Sequence, residues 1–385
     1  MGFGVMATLI GAHLDEIGFT GDQIGIVTAS GTFVAMFAVP FWGHRYTSIS
    51  RPRSRYVLVA GIFAAAAAVA MILPQVRSFL WFLPIFIVLY VFQSPSSSLM
   101  DSLVIDAKQE FGSVRTFGAL GFAVSCFGAA FLADRIGTSV IFPIYAGCFL
   151  MSAGLVWAMR RGAEVPAKAG LPGTDPAAGT KTGGATAASG RQMARQLLGS
   201  RAYVLIVLCA FFINGTDNAN NTFFNFLYLD GGGTLSGVGI AFLLMAGSEA
   251  PFMAASMWLC RKFGQDRVLL VAMIFSIIRF GLFALGLPAP VLIALFPLQG
   301  LVNGITLVEY VKYVARVIPR ELSGIGIAIY YAVGSSLSTI VCQLIGGHLL
   351  DQALFSLSGP QSVYLFFAVF NIAGVLIFWF GCRRS

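Results

Sequence analysis

The sequence predicts an all-α integral membrane protein with twelve transmembrane helices in two six-helix bundles. Three observations predict it. Of 385 residues, 57% are hydrophobic and only 10% charged, with a mean hydropathy of +0.84. The apolar residues gather into runs of membrane length, and one polar segment divides those runs six and six. A soluble domain carries about 25% charged residues, so this chain has too little polar surface to cover itself in water. The same composition excludes a secreted disulfide scaffold and a nucleic-acid binder.

A transmembrane helix needs about 20 mostly apolar residues. Runs of that kind cover 1–14, 23–43, 56–73, 79–104, 114–133 and 138–159, then 202–229, 235–259, 268–288, 290–314, 324–349 and 361–381. We call them spans 1 to 12. They are too long for the roughly ten-residue alternating strands of a membrane barrel, so the bundle is helical. Span 1 is short: 13 largely apolar residues precede Leu14, Asp15 and Glu16. At about 1.5 Å per residue they reach about 20 Å, against a bilayer core of about 30 Å. Either the helix is locally mismatched to the bilayer or the start codon lies upstream of Met1; the second reading, a truncated first helix, is the favoured expectation.

Residues 162–190 are rich in Ala, Gly, Thr and Pro and have no apolar period. Such a segment cannot bury enough surface to offset its ordering entropy and reads as a flexible linker. After it, Met193, Leu197 and Leu198 alternate with Arg191, Arg195 and Arg201, the pattern of a short helix lying on a membrane surface. The predicted domains are therefore an N-terminal bundle over 1–160, a cytoplasmic linker with its amphipathic helix over 161–201, and a C-terminal bundle over 202–385.

Orientation follows from Lys and Arg, which favour cytoplasmic loops. With the N-terminus inside, 20 of the 24 basic residues fall on the cytoplasmic side. Only Arg77 and Arg135 fall outside, and Arg279 and Lys312 lie within spans. Both termini are thus expected in the cytoplasm, in the cell inner (plasma) membrane. The net charge of +8 then reports topology, with a secondary attraction to anionic lipid. The six cysteines are scattered through apolar runs with no CxxC pair, so they read as packing residues, and neither a metal nor a cofactor is expected.

Ionisable groups deep in a membrane helix are costly, about 2.5–3.5 kcal/mol at the centre, so each is a functional candidate. Glu249 and Arg279 each lie 12 residues from the basic loop that joins spans 8 and 9, about 18 Å deep. Shared depth on consecutive antiparallel helices predicts that they pair. A buried carboxylate that can be protonated and released from an Arg is the minimal element of proton coupling, and a static salt bridge is the alternative. In span 7, Asn214, Asp217, Asn218, Asn221 and Asn225 fall within about a 100° arc, while Asn220 points elsewhere. That stripe faces either a wet cavity, where amides would take a hydroxyl-bearing ligand, or other helices. In span 10, Glu309 and Lys312 are three apart and can pair on one face. Glu309 is the deeper of the two. His13, His44 and His348 sit near span ends. Glycines 25 and 31, 112, 118 and 121, and Gly324 and Gly326 read as close helix contacts and not as phosphate loops.

Six plus six helices about a central linker, with basic loops after spans 2 and 8, resemble the major facilitator superfamily. The segment Arg261-Lys-Phe-Gly-Gln-Asp-Arg267 is similar to that family's loop signature, and Trp42-Gly-His-Arg45 keeps its charge without its Asp. A narrower resemblance joins Phe111-Gly-Ser-Val-Arg-Thr-Phe-Gly-Ala-Leu-Gly-Phe122 to the branch containing lactose permease and the phenylpropionate permeases. It implies that Arg115 binds solute with Asp101 as its carboxylate partner, and that Phe122 stands where a ring stacks on the sugar. It also places Asp217 and Arg279 on charged positions. That branch's proton-carrying His and Glu appear here as Gln299 and Val302, and its Lys as Ser335, so any proton site has moved to Glu249, Glu309 or Asp217.

The resemblance implies a non-enzymatic secondary transporter working by alternating access, with proton symport of a small sugar- or nucleoside-like solute. The expected solute-binding residues are Asp101, Arg115, Phe122, Asn214, Asp217, Asn218 and Asn221. The expected coupling residues are Glu249, Arg279, Glu309 and Lys312. Expected partners are the solute, protons and membrane lipid, with a monomeric chain. A proton-driven exporter of amphiphilic compounds and a non-transporting receptor are the alternatives.

Overall fold

The computed structural model describes residues 2–107, 111–160, 196, 197, 199–319, 322–354 and 356–381. It is all helical among those residues, and the helices follow the order of the twelve expected spans. Span 1 is Gly2–Glu16, span 2 Gly21–Thr47 and span 3 Pro52–Ala70. Span 4 is broken into Phe79–Gln93 and Ser96–Asp106, and spans 5 and 6 are Phe111–Ile136 and Ile141–Met159. Span 7 is Arg201–Asp230, span 8 Leu235–Phe263 and span 9 Gln265–Ala284. Span 10 joins Ala289–Ala294 to Phe296–Val317, and span 12 is Gly359–Gly381. Span 11 starts as Ser323–Ile329, widens to π-helical turns over Tyr330–Leu337 and resumes as Ser338–Leu350. Ten of the twelve are long and apolar enough to cross a membrane, the others being the 15-residue span 1 and span 5.

Local chemistry fixes the ends. Thr20 and Gln23 form a reciprocal capping box at the start of span 2, and Ser200 and Thr234 cap spans 7 and 8. Gly264, at φ 88°, turns the chain between spans 8 and 9 in a region that residues with a Cβ avoid. Pro95 follows the break in span 4, where a continuous helix would need the amide hydrogen that proline lacks. Most of the linker and surface helix expected over 161–201 lies outside the described residues. Leu197 is described and is buried beside Tyr203, Ile206 and Ile318, so it packs on the bundle.

The first six spans and the last six meet through span 2 against span 11, span 5 against span 8, and span 1 against span 7. The bonds across this seam cluster at the end away from the basic loops. There Gly21 N donates to Asp351 Oδ2 at 2.7 Å, and His348 Nδ1 lies 3.1 Å from Asp22 Oδ1. Asp134 accepts from Leu235 N and from Ser236 Oγ, the latter at 2.7 Å. Asn225 Nδ2 reaches the Thr8 carbonyl at 2.5 Å. Spans 2 and 11 touch backbone to backbone: a Cβ added to Gly25 would stand 2.6 Å from Gln343 O, and Gly21 is equally close to Gly347. Only glycine permits that approach. With this end sealed, the cleft between the halves opens toward the basic loops.

Each basic loop is tied to its own half. Tyr46 Oη and Arg55 Nη1 both donate to Asp106 in span 4, each at 2.7 Å. Arg316 donates to Asp266 at 3.1 Å, and Gln265 Nε2 donates to Glu309 Oε2 at 3.0 Å.

Candidate functional site

Span 7 carries the site, because its polar side chains cannot face lipid. Two layers result. The inner layer is buried between spans 7, 9, 10 and 12. Arg279 Nη2 lies 2.5 Å from Asp217 Oδ1, with the Arg side chain wholly buried and the Asp side chain 8% exposed. Thr216 donates to Asn371 Oδ1, and Asn371 donates to Ser276 Oγ, both at 2.8 Å. Tyr364 Oη donates to Asn220 Oδ1 at 2.7 Å, and Asn220 donates to Gln299 Oε1 at 2.8 Å. The second layer faces the cleft. Asn214, Asp217, Asn218, Glu249, Asn303, Thr306, Leu307, Tyr330, Tyr331 and Ser335 line a cavity of about 180 Å³. Asn214 Nδ2 donates to Tyr330 Oη at 3.1 Å, and Asn218 Nδ2 donates to Ser335 Oγ at 3.2 Å and Thr339 Oγ1 at 3.1 Å.

Several expectations hold in this geometry. Asn214, Asp217 and Asn218 share the cavity wall, and Asn220 points into the core as its angle predicts. Lys312 Nζ pairs with Glu309 Oε1 at 2.8 Å. Cys126, Cys209 and Cys342 are buried and unbridged, as packing residues should be. Gly31 receives the Tyr90 ring, whereas Gly118 faces open space and makes no close contact.

Other expectations need correction. Arg279 pairs with Asp217 and not with Glu249. Depth along two helices fixes height but not azimuth, and Arg279 points across to span 7 while Glu249 lines the cavity. Asn225 leaves the stripe to bond Thr8 across the seam. Asn221 is half-buried outside the cavity wall. Glu309, by contrast, is buried and pairs with Lys312 as expected; it also takes hydrogen bonds from the basic loop's Gln265 and the Cys260 thiol, and it does not line the cavity. Phe122 does not line it either; its ring packs on span 1 at Gly4. Asp101 is half-buried in span 4, and the Arg115 side chain lies outside the described residues.

Sequence reasoning missed Asn303, Thr306, Tyr330, Tyr331, Ser335 and Thr339. The signal was present: Gln299, Asn303 and Thr306 recur at helical spacing in span 10, and Tyr330, Tyr331, Ser335 and Thr339 interrupt an apolar span 11. Chemically, the wall offers two carboxylates, three amides, hydroxyls and two phenol rings. Amides and hydroxyls both donate and accept, and aromatic faces cover apolar ring surface, so the wall suits a neutral polyhydroxylated molecule.

The comparisons agree with this architecture. Residues 2–365 match the profile described as the MFS_1 like family. A curated relative, the "Maltose permease" of Geobacillus stearothermophilus, is 32% identical over 100% of this chain and 92% of its own length. The "Uncharacterized transporter YwbF" of Bacillus subtilis (strain 168) is 26% identical over 97% of this chain and 88% of its own. Among solved structures, the nucleoside transporter NupG superposes with a TM-score of 0.75 at 16% identity, covering 98% of this chain and 95% of that one. An auto-inhibited POT family peptide transporter gives 0.68 at 14% identity, covering 100% and 94%. These last two share the fold. A family profile spanning nearly the whole chain and a relative matched end to end leave one assignment: the chain belongs to the MFS_1-like family and is a multi-pass membrane transporter of the major facilitator type.

Proposed function

We propose that the chain takes up a small sugar by proton symport, with its two halves rocking about the span 7 cavity. The observation that carries the reading is the cavity wall itself, in which Asn214, Asn218, Asn303 and Ser335 surround the carboxylates of Asp217 and Glu249. Such a set holds hydroxyls in a bidentate way and can carry a proton. The 32% identity to a maltose permease favours a sugar over the nucleoside alternative. Asp101 and Arg115 would complete the site from the N-terminal half. Glu249 carries the proton, and the Asp217–Arg279 pair senses it across the same wall. Glu309 and Lys312 act on the basic loop.

In this reading 1–160 and 202–385 are the moving bundles, 161–201 links them, and the chain works as a monomer in the cell membrane. Both termini lie on the cytoplasmic side, so the cleft described above faces inward. Proteoliposomes loaded with the Glu249→Gln variant should bind sugar, scored by thermal shift over a panel of mono- and disaccharides. They should fail to accumulate it under an imposed pH gradient. Undiminished accumulation would refute the coupling role.

A further inference from the structure

Span 11 does two things along one helix. Its middle lines the cavity with Tyr330, Tyr331 and Ser335, and its far end seals the cleft with Gln343 and Gly347 against span 2. The cavity-lining part is the stretch of wide turns itself, Tyr330–Leu337, and the α-helix Ser338–Leu350 carries on from it to the seal. A π turn holds one residue more than an α turn, is uncommon, and persists where neighbouring groups hold it. Here the holding groups belong to span 7. Asn218 donates to Ser335 and Thr339 at 3.2 and 3.1 Å, Asn214 donates to Tyr330, and Ser338 donates to the Phe211 carbonyl. Asn218 is itself exposed to the cleft, so the same amide that holds the turn is within reach of a solute.

We propose that the wide turn of span 11 couples cavity occupancy to the seal, with Ser335 and Thr339 as the positioning residues through which Asn218 holds it. The inference rests on the reading that this cavity takes a hydroxyl-bearing solute. A solute hydroxyl that claims Asn218 Nδ2 removes the two bonds to span 11. The turn then tightens to the α-helical repeat, and everything beyond Leu337 rotates by one residue, about 100°. Gly347 and Gln343 leave the face of span 2, and side chains that cannot fit the glycine contact replace them. The seal parts. Without this turn, a straight helix would carry no register change from the cavity to the seal.

The test uses the full chain, cleared of its six cysteines, with spin labels at Arg77→Cys and Leu285→Cys. Both are exposed at the sealed end, one on each half. Electron–electron resonance distances then report the seal. The Ser335→Ala/Thr339→Val variant should open without any solute, the closed population falling about fivefold per lost bond. Ser335→Thr, which keeps the hydroxyl, should match the wild type. Deleting Val333 removes the extra residue while preserving the register on both sides, so that variant should stay closed with or without maltose. A double variant that keeps the wild-type distance distribution, or a deletion variant that opens, would overturn the proposal. If no sugar binds the wild type, the sugar reading of the cavity fails, but the solute-free arm still decides the role of the turn.

Discussion

Removing either member of the Asp217–Arg279 pair should destabilise the chain, and the two removals should be unequal. The guanidinium is wholly buried, and its Nε and Nη1 have no hydrogen-bond partner among the described residues. Its charge is compensated by one hydrogen bond, at 2.5 Å to Asp217, and by the Phe280 ring, whose centroid lies 4.2 Å from the guanidinium carbon. Asp217→Asn strands a full positive charge that a protein cannot discharge by losing a proton, because the arginine stays protonated. Breaking a buried pair in this way costs about 3–5 kcal/mol. Arg279→Gln instead leaves a carboxylate, which can take up a proton and become a neutral hydrogen-bonding group, so the cost falls to about 1–3 kcal/mol. The double variant Asp217→Asn/Arg279→Gln removes both charges and should be more stable than Asp217→Asn alone. Unfolding of detergent-purified protein, followed by a thermal or denaturant scan, gives all four corners of the cycle. The reasoning fails if Arg279→Gln is the more damaging single change, or if the double variant is no better than Asp217→Asn.

Three further outcomes follow from the geometry. Glu309→Gln keeps an acceptor for Gln265 and the Cys260 thiol and loses the ion pair to Lys312, whose side chain, 49% exposed, can turn to water. It should therefore change stability by no more than about 1 kcal/mol and leave pH-driven accumulation intact, as measured in proteoliposomes. Tyr364→Phe leaves Asn220 Oδ1 buried without its donor and should cost about 1–3 kcal/mol in the same unfolding scan. Asp134→Ala removes both bonds that tie span 5 to the start of span 8. A cysteine placed at the buried Ala133 should then react with an impermeant maleimide about fivefold faster per lost bond.

The positions of the spans were legible because lipid imposes one requirement along the whole chain, a run of apolar residues about 20 long. The Glu309–Lys312 contact was legible because i and i+3 share a helix face whatever the surroundings. The partner of Arg279 was not. Glu249 and Asp217 both lie at mid-depth, and only the rotation of each helix about its axis, set by packing, selects between them. The same limit applies to Asn225, which sits in the predicted arc yet reaches the Thr8 carbonyl because span 1 crosses span 7 there. The wide turn in span 11 leaves no mark in a pattern of apolar residues. Its trace is the polar cluster at Ser335 and Thr339, whose meaning depends on Asn218 in another helix.

The way each basic loop is fastened has an electrical consequence. Arg45, Arg51, Arg53 and Arg55 travel with the first half because Asp106 holds Tyr46 and Arg55. Arg261, Lys262 and Arg267 travel with the second because Gln265 and Asp266 are held by Glu309 and Arg316. The two loops are thus rigid plates of the same sign on either side of the mouth. Closing the mouth brings like charges together, and the repulsion weakens once they stand farther apart than the screening length of about 8 Å at physiological salt. In the rocking cycle proposed above, this repulsion would act as a charge-separating spring, stiff at low ionic strength and soft at high.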